Sequence, residues 1–360
     1  MSTQKQYTIW NRFKRNYPAM VSLVYILLCA VAALFAYVLA PDNSTYGNAQ
    51  TIEIQARPPG YTQQFLVFPT PETSSTNAFT VFVQGNAALP RQIPITTHRF
   101  QGDSVLVHRF VDNGISIAES YKLPAGTDFS ALIQTKTFWL GTDNLGRDML
   151  SRLLIGTRIS FAVGIIAVIV SLIIGTILGA LAGYYRKRTD AIISWLIHVS
   201  WSIPTLLLVF ALTFLVGKGL WQIFIAVGLT MWVSVARLVR GQVMALRERE
   251  FVQAAVAIGA SDIRILRKHI LPNIRGPLLV LTAGNFATAI MLEAGLSFLG
   301  IGVQPPQPSW GLMMRENYTY LLTSQPILAI IPGLAIMLLV LAFYLTGNGL
   351  RDATDVHLQN

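Results

Sequence analysis

Charge is what this sequence has least of. Only 12% of its 360 residues are Asp, Glu, Lys or Arg, where a soluble domain carries about 25%. Mean hydropathy is +0.51, and the few charges bunch between long apolar runs, as in membrane proteins. Cysteine is nearly missing too: Cys29 stands alone, so no internal disulfide framework exists. There is no G-x-x-x-x-G-K-[ST] loop, no H-E-x-x-H and no nucleophile elbow. Histidines 98, 108, 198, 269 and 357 have no metal-ligand spacing, and His269 reads as a helix-end cation or hydrogen bonder. These absences exclude nucleotide binding by a P-loop and any evident catalytic constellation. The excess of base, net charge +10, flanks apolar runs and forms no aromatic-interleaved patch, so it excludes nucleic acid as a partner and points to lipid headgroups.

What is present is apolar length. Crossing a bilayer takes about 20 apolar residues in a helix. Six segments qualify, at 19–40, 159–185, 191–217, 220–236, 278–302 and 326–346. The first is too long for a signal-peptide core and is read as a retained anchor. Lys5, Arg12, Lys14 and Arg15 precede the first span. Arg186, Lys187 and Arg188 lie between the second and third. Eight more Lys and Arg lie between Arg237 and Arg275. Positive loops stay inside, which predicts two cytoplasmic termini.

Residues 41–137 hold no span. Stretches from Thr51, Phe65 and Phe79 alternate or are rich in β-formers. The stretch from Gln101 to Phe110 runs into Asp112-Asn-Gly. These patterns predict a small external domain of several strands.

Ala167, Ser171, Gly175, Gly179 and Gly183 recur every four residues in the second span, a face that lets another helix approach closely. Ahead of it, in GTDNLGRDMLSRLLIGTRIS (141–160), Asp143 is a candidate helix cap and Asp148 with Arg152 a candidate i, i+4 pair. Either a surface helix with ordinary ion pairs or an external amphipathic helix leading into the membrane fits. Glu293 falls at membrane depth, where an ionisable group must be paired or wet; a structural and a pathway role both fit, with Asn285 and Ser297 as polar company. Between the fourth and fifth spans, FVQAAVAIGASDIRILRKHILPNIRG (251–276) places Val252, Ala255, Val256, Gly259, Ile263, Leu266 and Ile270 on one helical stripe. Gly259-Ala260-Ser261 breaks it, Ser261 caps a second helix from Asp262, and Pro272 ends that helix. An interfacial helix and a helix offered to a cytoplasmic groove both fit.

At these residues the chain resembles the permease subunits of ATP-binding-cassette importers for peptides and nickel, closest to the second permease of dipeptide and oligopeptide systems. The family signature E-A-A-x3-G-x9-[IH]-x-L-P matches Gln253-Ala254-Ala255, Gly259 and His269-Ile-Leu-Pro, with Gln253 in place of Glu. FKRNYPAMVSL, the 141–160 stretch, EAGLSFLGIGVQPPQPSWG (293–311) and GLRDATDV (349–356) are similar to further family motifs. The likeness covers about 1–42 and 138–360.

The resemblance implies an all-α polytopic membrane protein with the six transmembrane helices of the type I importer permease fold and an inserted external β-rich domain. The expected layout is a cytoplasmic segment 1–18, a first span 19–40, the insert 41–137, a permease core 138–347 with a coupling loop 240–276, and a cytoplasmic tail 348–360. It implies a non-enzymatic subunit of the bacterial inner membrane, paired with a homologous permease. Two cytoplasmic ATPase subunits would bind ATP and Mg, an external solute-binding protein would deliver substrate, and this chain would hold no cofactor. Gln253, Ala254, Ala255, Gly259, Ala260, Ser261 and Asp262 would contact the ATPase. Asp143, Arg147 and Asp148 belong to the external motif. The competing reading is a self-contained channel or secondary transporter.

Overall fold

The structure is a computed structural model that describes residues 2–68, 77–87, 90–101, 104–122, 132–217, 219–323 and 325–354. Residues 69–76, 88–89, 102–103 and 123–131 of the expected insert, and Asp355 and Val356 of the C-terminal motif, lie outside these.

In chain order, α1 (Ser2–Arg15), α2 (Tyr17–Leu34) and α3 (Ala36–Leu39) lead to strand β1 (Tyr61–Val67), a short helix α4 (Ala78–Gln84), and strands β2 (Gln92–Gln101), β3 (Ser104–Asp112), β4 (Ile115–Lys122) and β5 (Ile133–Phe138). Then follow α5 (Met149–Tyr185), α6 (Lys187–Ser202), α7 (Thr205–Val216), α8 (Leu220–Arg247), α9 (Glu250–Ala257), α10 (Asp262–Ile265), α11 (Arg275–Phe298), α12 (Trp310–Asn317) and α13 (Ile327–Thr354). The chain forms two compact units. One comprises Met1–Ala30, Ser160–Val303 and Ala335–Asn360; the other comprises Val31–Ile159 and Gln304–Leu334.

Among the described residues, five helical runs are long and apolar enough to cross a membrane: α2, α5, α8, Asp262–Phe298 and α13. The expected third span differs. Its two halves, α6 and α7, meet at a 96° bend at Ile203-Pro204. Proline removes a backbone donor and pushes the residue before it out of helical conformation, and Ile203 is extended. Pro332, by contrast, sits inside an unbroken α13. The expected fourth span, 220–236, is longer in the structure, because Val239 and Val243 continue the buried face of α8. A separate helix α1 precedes the first span where only a segment was expected.

The small-residue face of α5 packs on α8. A Cβ added to Gly175 would stand 2.7 Å from the Trp232 carbonyl, one on Gly179 2.5 Å from that of Ala236, and one on Gly183 2.7 Å from that of Arg240. Ala167 and Ser171 are fully buried. The partner of this face is therefore in the same chain. Arg240 clamps Asp190 of α6 with contacts of 2.5 and 2.7 Å, a two-point pair suited to guanidinium and carboxylate.

In the second unit the strands form one antiparallel sheet in the order β4-β3-β2-β1-β5. Gly114, with φ +78°, supplies the β3–β4 turn that Asn113-Gly114 predicts. Leu66, Ile93, Ile95, Val105 and Val107 are its buried face. Two expected strands are not strands. Ile52–Ile54 is a single 3₁₀ turn. Phe79–Val83 lies in α4, stopped by Gly85 at φ +80°; five residues are too few for periodicity to tell strand from helix.

Candidate functional site

The segment after α8 is built as an outward-facing platform. Arg249, extended at the N-cap, starts α9. Val252 and Ala255 point inward and join Val235, Val239, Val243, Ile265, Ile270 and Ile274 in one buried cluster. Gly259, φ +77°, closes α9: its amide donates to Val256 O at 2.9 Å and that of Ala260 to Ala255 O at 3.1 Å. This is a left-handed helix stop that favours glycine. Ser261 is extended and opens α10, but its hydroxyl makes no capping bond. The Tyr184 hydroxyl donates to Asp262 at 2.8 Å, tying α10 to the end of α5.

The helical stripe expected across 251–270 is corrected by this turn. Val252, Ala255 and Ile270 are buried, yet Val256 is 55% and Ile263 67% exposed. The left-handed residue resets the helical phase, so after Gly259 the inward positions become Ile265, Ile270 and Ile274. Pro272 does not end the helix as expected. It sits at the start of a 3₁₀ turn, Leu271–Ile274, that leads directly into α11, a position where the missing amide costs little.

Of the residues expected at the platform, Gln253, Ala254, Gly259, Ser261 and Asp262 are exposed, Ala260 is half-buried, and Ala255 faces inward. Phe251, Val256, Ile258 and Ile263 add exposed apolar area, with Ile258 85% exposed. Gln253 donates its amide to Glu248 O at 3.3 Å, at the end of α8. An ionised glutamate could not make that bond, which gives the departure from the family's Glu a local purpose.

The GTDNLGRD motif builds a buried ion cluster in the other unit. Asp143 accepts from the amides of Leu145 and Arg147, from Arg147 Nε at 2.6 Å and from Arg152 Nη1 at 2.7 Å. Glu316 of α12 closes the square, 2.8 Å from Arg147 and 3.0 Å from Arg152. The expected pair of Asp148 with Arg152 is thus replaced by pairs to Asp143 and Glu316. The expected helix cap moves as well. Asp148, not Asp143, precedes α5, and its carboxylate accepts the Ser151 amide at 2.8 Å and the Ser151 hydroxyl. Burial pushes the Asp148 carboxyl above its ordinary range. Ser309 caps α12 by accepting from Leu312 N, and Trp310 donates to Leu153 O at 3.0 Å. Glu316 was not found from the sequence, since nothing in its spacing marks it as the fourth corner.

Glu293 is fully buried in α11. Ser297 donates to it at 2.6 Å and accepts the Val303 amide at 2.9 Å, so the carboxylate anchors the chain reversal after α11. Asn285 is also buried, and its side-chain nitrogen has no hydrogen-bond partner among the described residues.

Residues 175–355 match the model of the binding-protein-dependent transport system inner membrane component family. This chain belongs to that family. Residues 7–59 match the N-terminal transmembrane domain of oligopeptide transport permease C. The glutathione transport system permease protein GsiD of Pectobacterium atrosepticum is 44% identical over 222 residues, 62% of this chain and 73% of that protein. The oligopeptide transport system permease protein OppC of Bacillus subtilis is 41% identical over 225 residues, with the same two shares. The dipeptide transport system permease protein DppC of Alkalihalophilus pseudofirmus is 41% identical over 222 residues, again with those shares. A solved MetNI methionine ABC transporter chain aligns with TM-score 0.48 at 20% identity, covering 57% of this chain and 98% of that one. This permease is accordingly a multi-pass, non-catalytic subunit of an ABC importer that forms part of its transport pathway, with ATP hydrolysis on separate subunits. The sheet of β1 to β5 lies outside both family matches.

Proposed function

We propose that this permease is one half of the translocation pathway of a peptide importer. The relatives named for glutathione, oligopeptides and dipeptides have peptide cargo in common, which supports that substrate class. In this reading the chain crosses the bacterial inner membrane six times, α6 and α7 counting as one broken span, with both termini cytoplasmic. A homologous permease forms the other half. Two cytoplasmic ATPases hold ATP and Mg, and an external binding protein delivers the peptide. The sheet is an external insert that serves as a docking surface for the binding protein or another envelope component. Glu293 and Ser297 brace the end of α11, and Asn285 is the candidate pathway group.

The observation that carries the reading is the platform of α9 and the Gly259 turn. Its inward side is fixed in the core cluster, while Ala254, Val256, Ile258 and Ile263 are exposed. Such a surface covers apolar area only when a partner docks. Force from ATP-driven closure then reaches α8 and α11 through packed side chains, and the ATPase shifts the permease between states by binding them unequally. Ala254→Arg tests this, because position 254 is exposed and helical and tolerates arginine locally. The variant should insert normally, fail to co-purify with the ATPase and lose uptake. Undiminished ATPase capture with full uptake would refute the docking.

A further inference from the structure

Two arginines on α8 are held in different ways. Arg240 makes its two-point pair with Asp190, near the start of α6. Arg237, one turn earlier on α8, lies over the indole of Trp201, 3.1 Å from the ring centroid. Asp190 and Trp201 are eleven residues apart, about 16 Å of helix, so the two guanidiniums meet α6 at different levels. Among the described residues Arg237 makes no ion pair and no hydrogen bond, and the indole face is the only group that meets its charge. Trp201 is the next-to-last residue of α6, and the 96° bend into α7 follows it. Residues 201–205 are all exposed, Trp201 by 63%. Non-helical backbone at membrane depth is tolerated where protein covers it or water reaches it, not against lipid. A cation at that depth needs an anion or water for the same reason. Both needs fall on one spot.

We propose that Arg237, steadied by Trp201, binds the C-terminal carboxylate of a peptide as it crosses the permease. This role rests on the chain being half of a peptide pathway. A linear peptide ends in a carboxylate whatever its side chains, so one guanidinium serves many sequences. The guanidinium fork matches a carboxylate with two parallel hydrogen bonds. An aromatic face orients a guanidinium without neutralising it, whereas Asp190 neutralises Arg240 within the chain. An arginine kept oriented, charged and without an acid is arranged for an anion that comes and goes. The bend beside it supplies the opening, because its exposed backbone requires water or protein there. A fixed acid on the second permease is the competing partner, and the test separates the two.

The test uses the whole importer, purified through a tag on this chain and placed in liposomes with its binding protein outside and ATP inside. Peptides of two to five alanines, half as free acids and half as C-terminal amides, are followed inward by mass spectrometry. The quantity read is the ratio of acid to amide uptake, compared between wild type and variant. The binding protein is common to both, so its own preference cancels. Arg237→Gln should lower the ratio at least about tenfold, the size of a hydrogen bond between charged groups. Arg237→Lys keeps the charge without the fork and should give an intermediate ratio. Should Arg237→Gln fail to assemble, Arg237→Lys decides by the same ratio. An unchanged ratio would overturn the site; if the second permease were also lost on purification, Arg237 would instead be pairing between subunits. Uptake of neither form by wild type would remove the importer reading and the site with it, whereas uptake with an unchanged ratio removes the site alone.

Discussion

At the scale of single residues, the buried charges decide most. Arg147 and Arg152 are each 1% exposed and share two carboxylates, Asp143 and Glu316. Buried ions need partners, and removing one partner of such a set costs about 3–5 kcal/mol. Glu316→Gln keeps the shape but leaves two guanidiniums on one carboxylate. A drop of that order is expected, read as a lower melting temperature of the detergent-solubilised protein; an unchanged melt would show the cluster to be solvated. Asp143, Arg147, Asp148 and Arg152 were visible in the sequence as a charged run before a span. Their pairing was not, because the fourth corner arrives from far along the chain, and a spacing rule that reads only i, i+4 neighbours cannot see it. Gln253 shows the reverse case. From the sequence it looked like a fault in the signature, and its bond to the Glu248 carbonyl gives it work that the usual glutamate could not do.

At the scale of elements, small residues and breaks set the helices. The four-residue repeat along α5 was legible because close helix packing demands a lane without side chains; that α8 fills the lane was not legible. Gly179→Val should clash with the Ala236 carbonyl and Val239 and destabilise by about 1–3 kcal/mol or more. Among the described residues no heavy atom lies within 4 Å of a Cβ added at Gly241, so Gly241→Ala should stabilise α8 by about 0.5–1 kcal/mol. Thermal unfolding of both variants checks the contrast, and equal effects would contradict the packing. Residue type alone does not separate the prolines at 204, 272 and 332. Only Pro204 breaks an apolar run sharply; Pro272 joins a 3₁₀ turn to α11, and Pro332 rides inside α13. Neighbouring backbone geometry, not residue type, made the difference.

At the scale of the whole molecule, the chain enters and leaves the sheet region at adjoining points. The Arg57 amide donates to Thr142 Oγ1 at 2.9 Å, and the Thr142 amide to Arg57 O at 3.1 Å. Ends this close can be bridged by a short linker. Replacing residues 59–139 with two glycines should leave a membrane-inserted permease that still captures its ATPase, while binding-protein-dependent uptake falls. Full uptake by the deletion would dismiss the docking role of the sheet. By itself the sequence determined that this is a multi-pass permease, that strands stand between its first two apolar runs, and where its signature loop lies, because hydropathy, turn residues and motif spacing are local properties. Tertiary structure alone decided which carboxylates neutralise the buried arginines, which helix fills the glycine lane, and which side of the signature loop faces out. Those outcomes depend on which surfaces meet across long sequence separations, and at the loop on a single left-handed glycine that resets the helical phase.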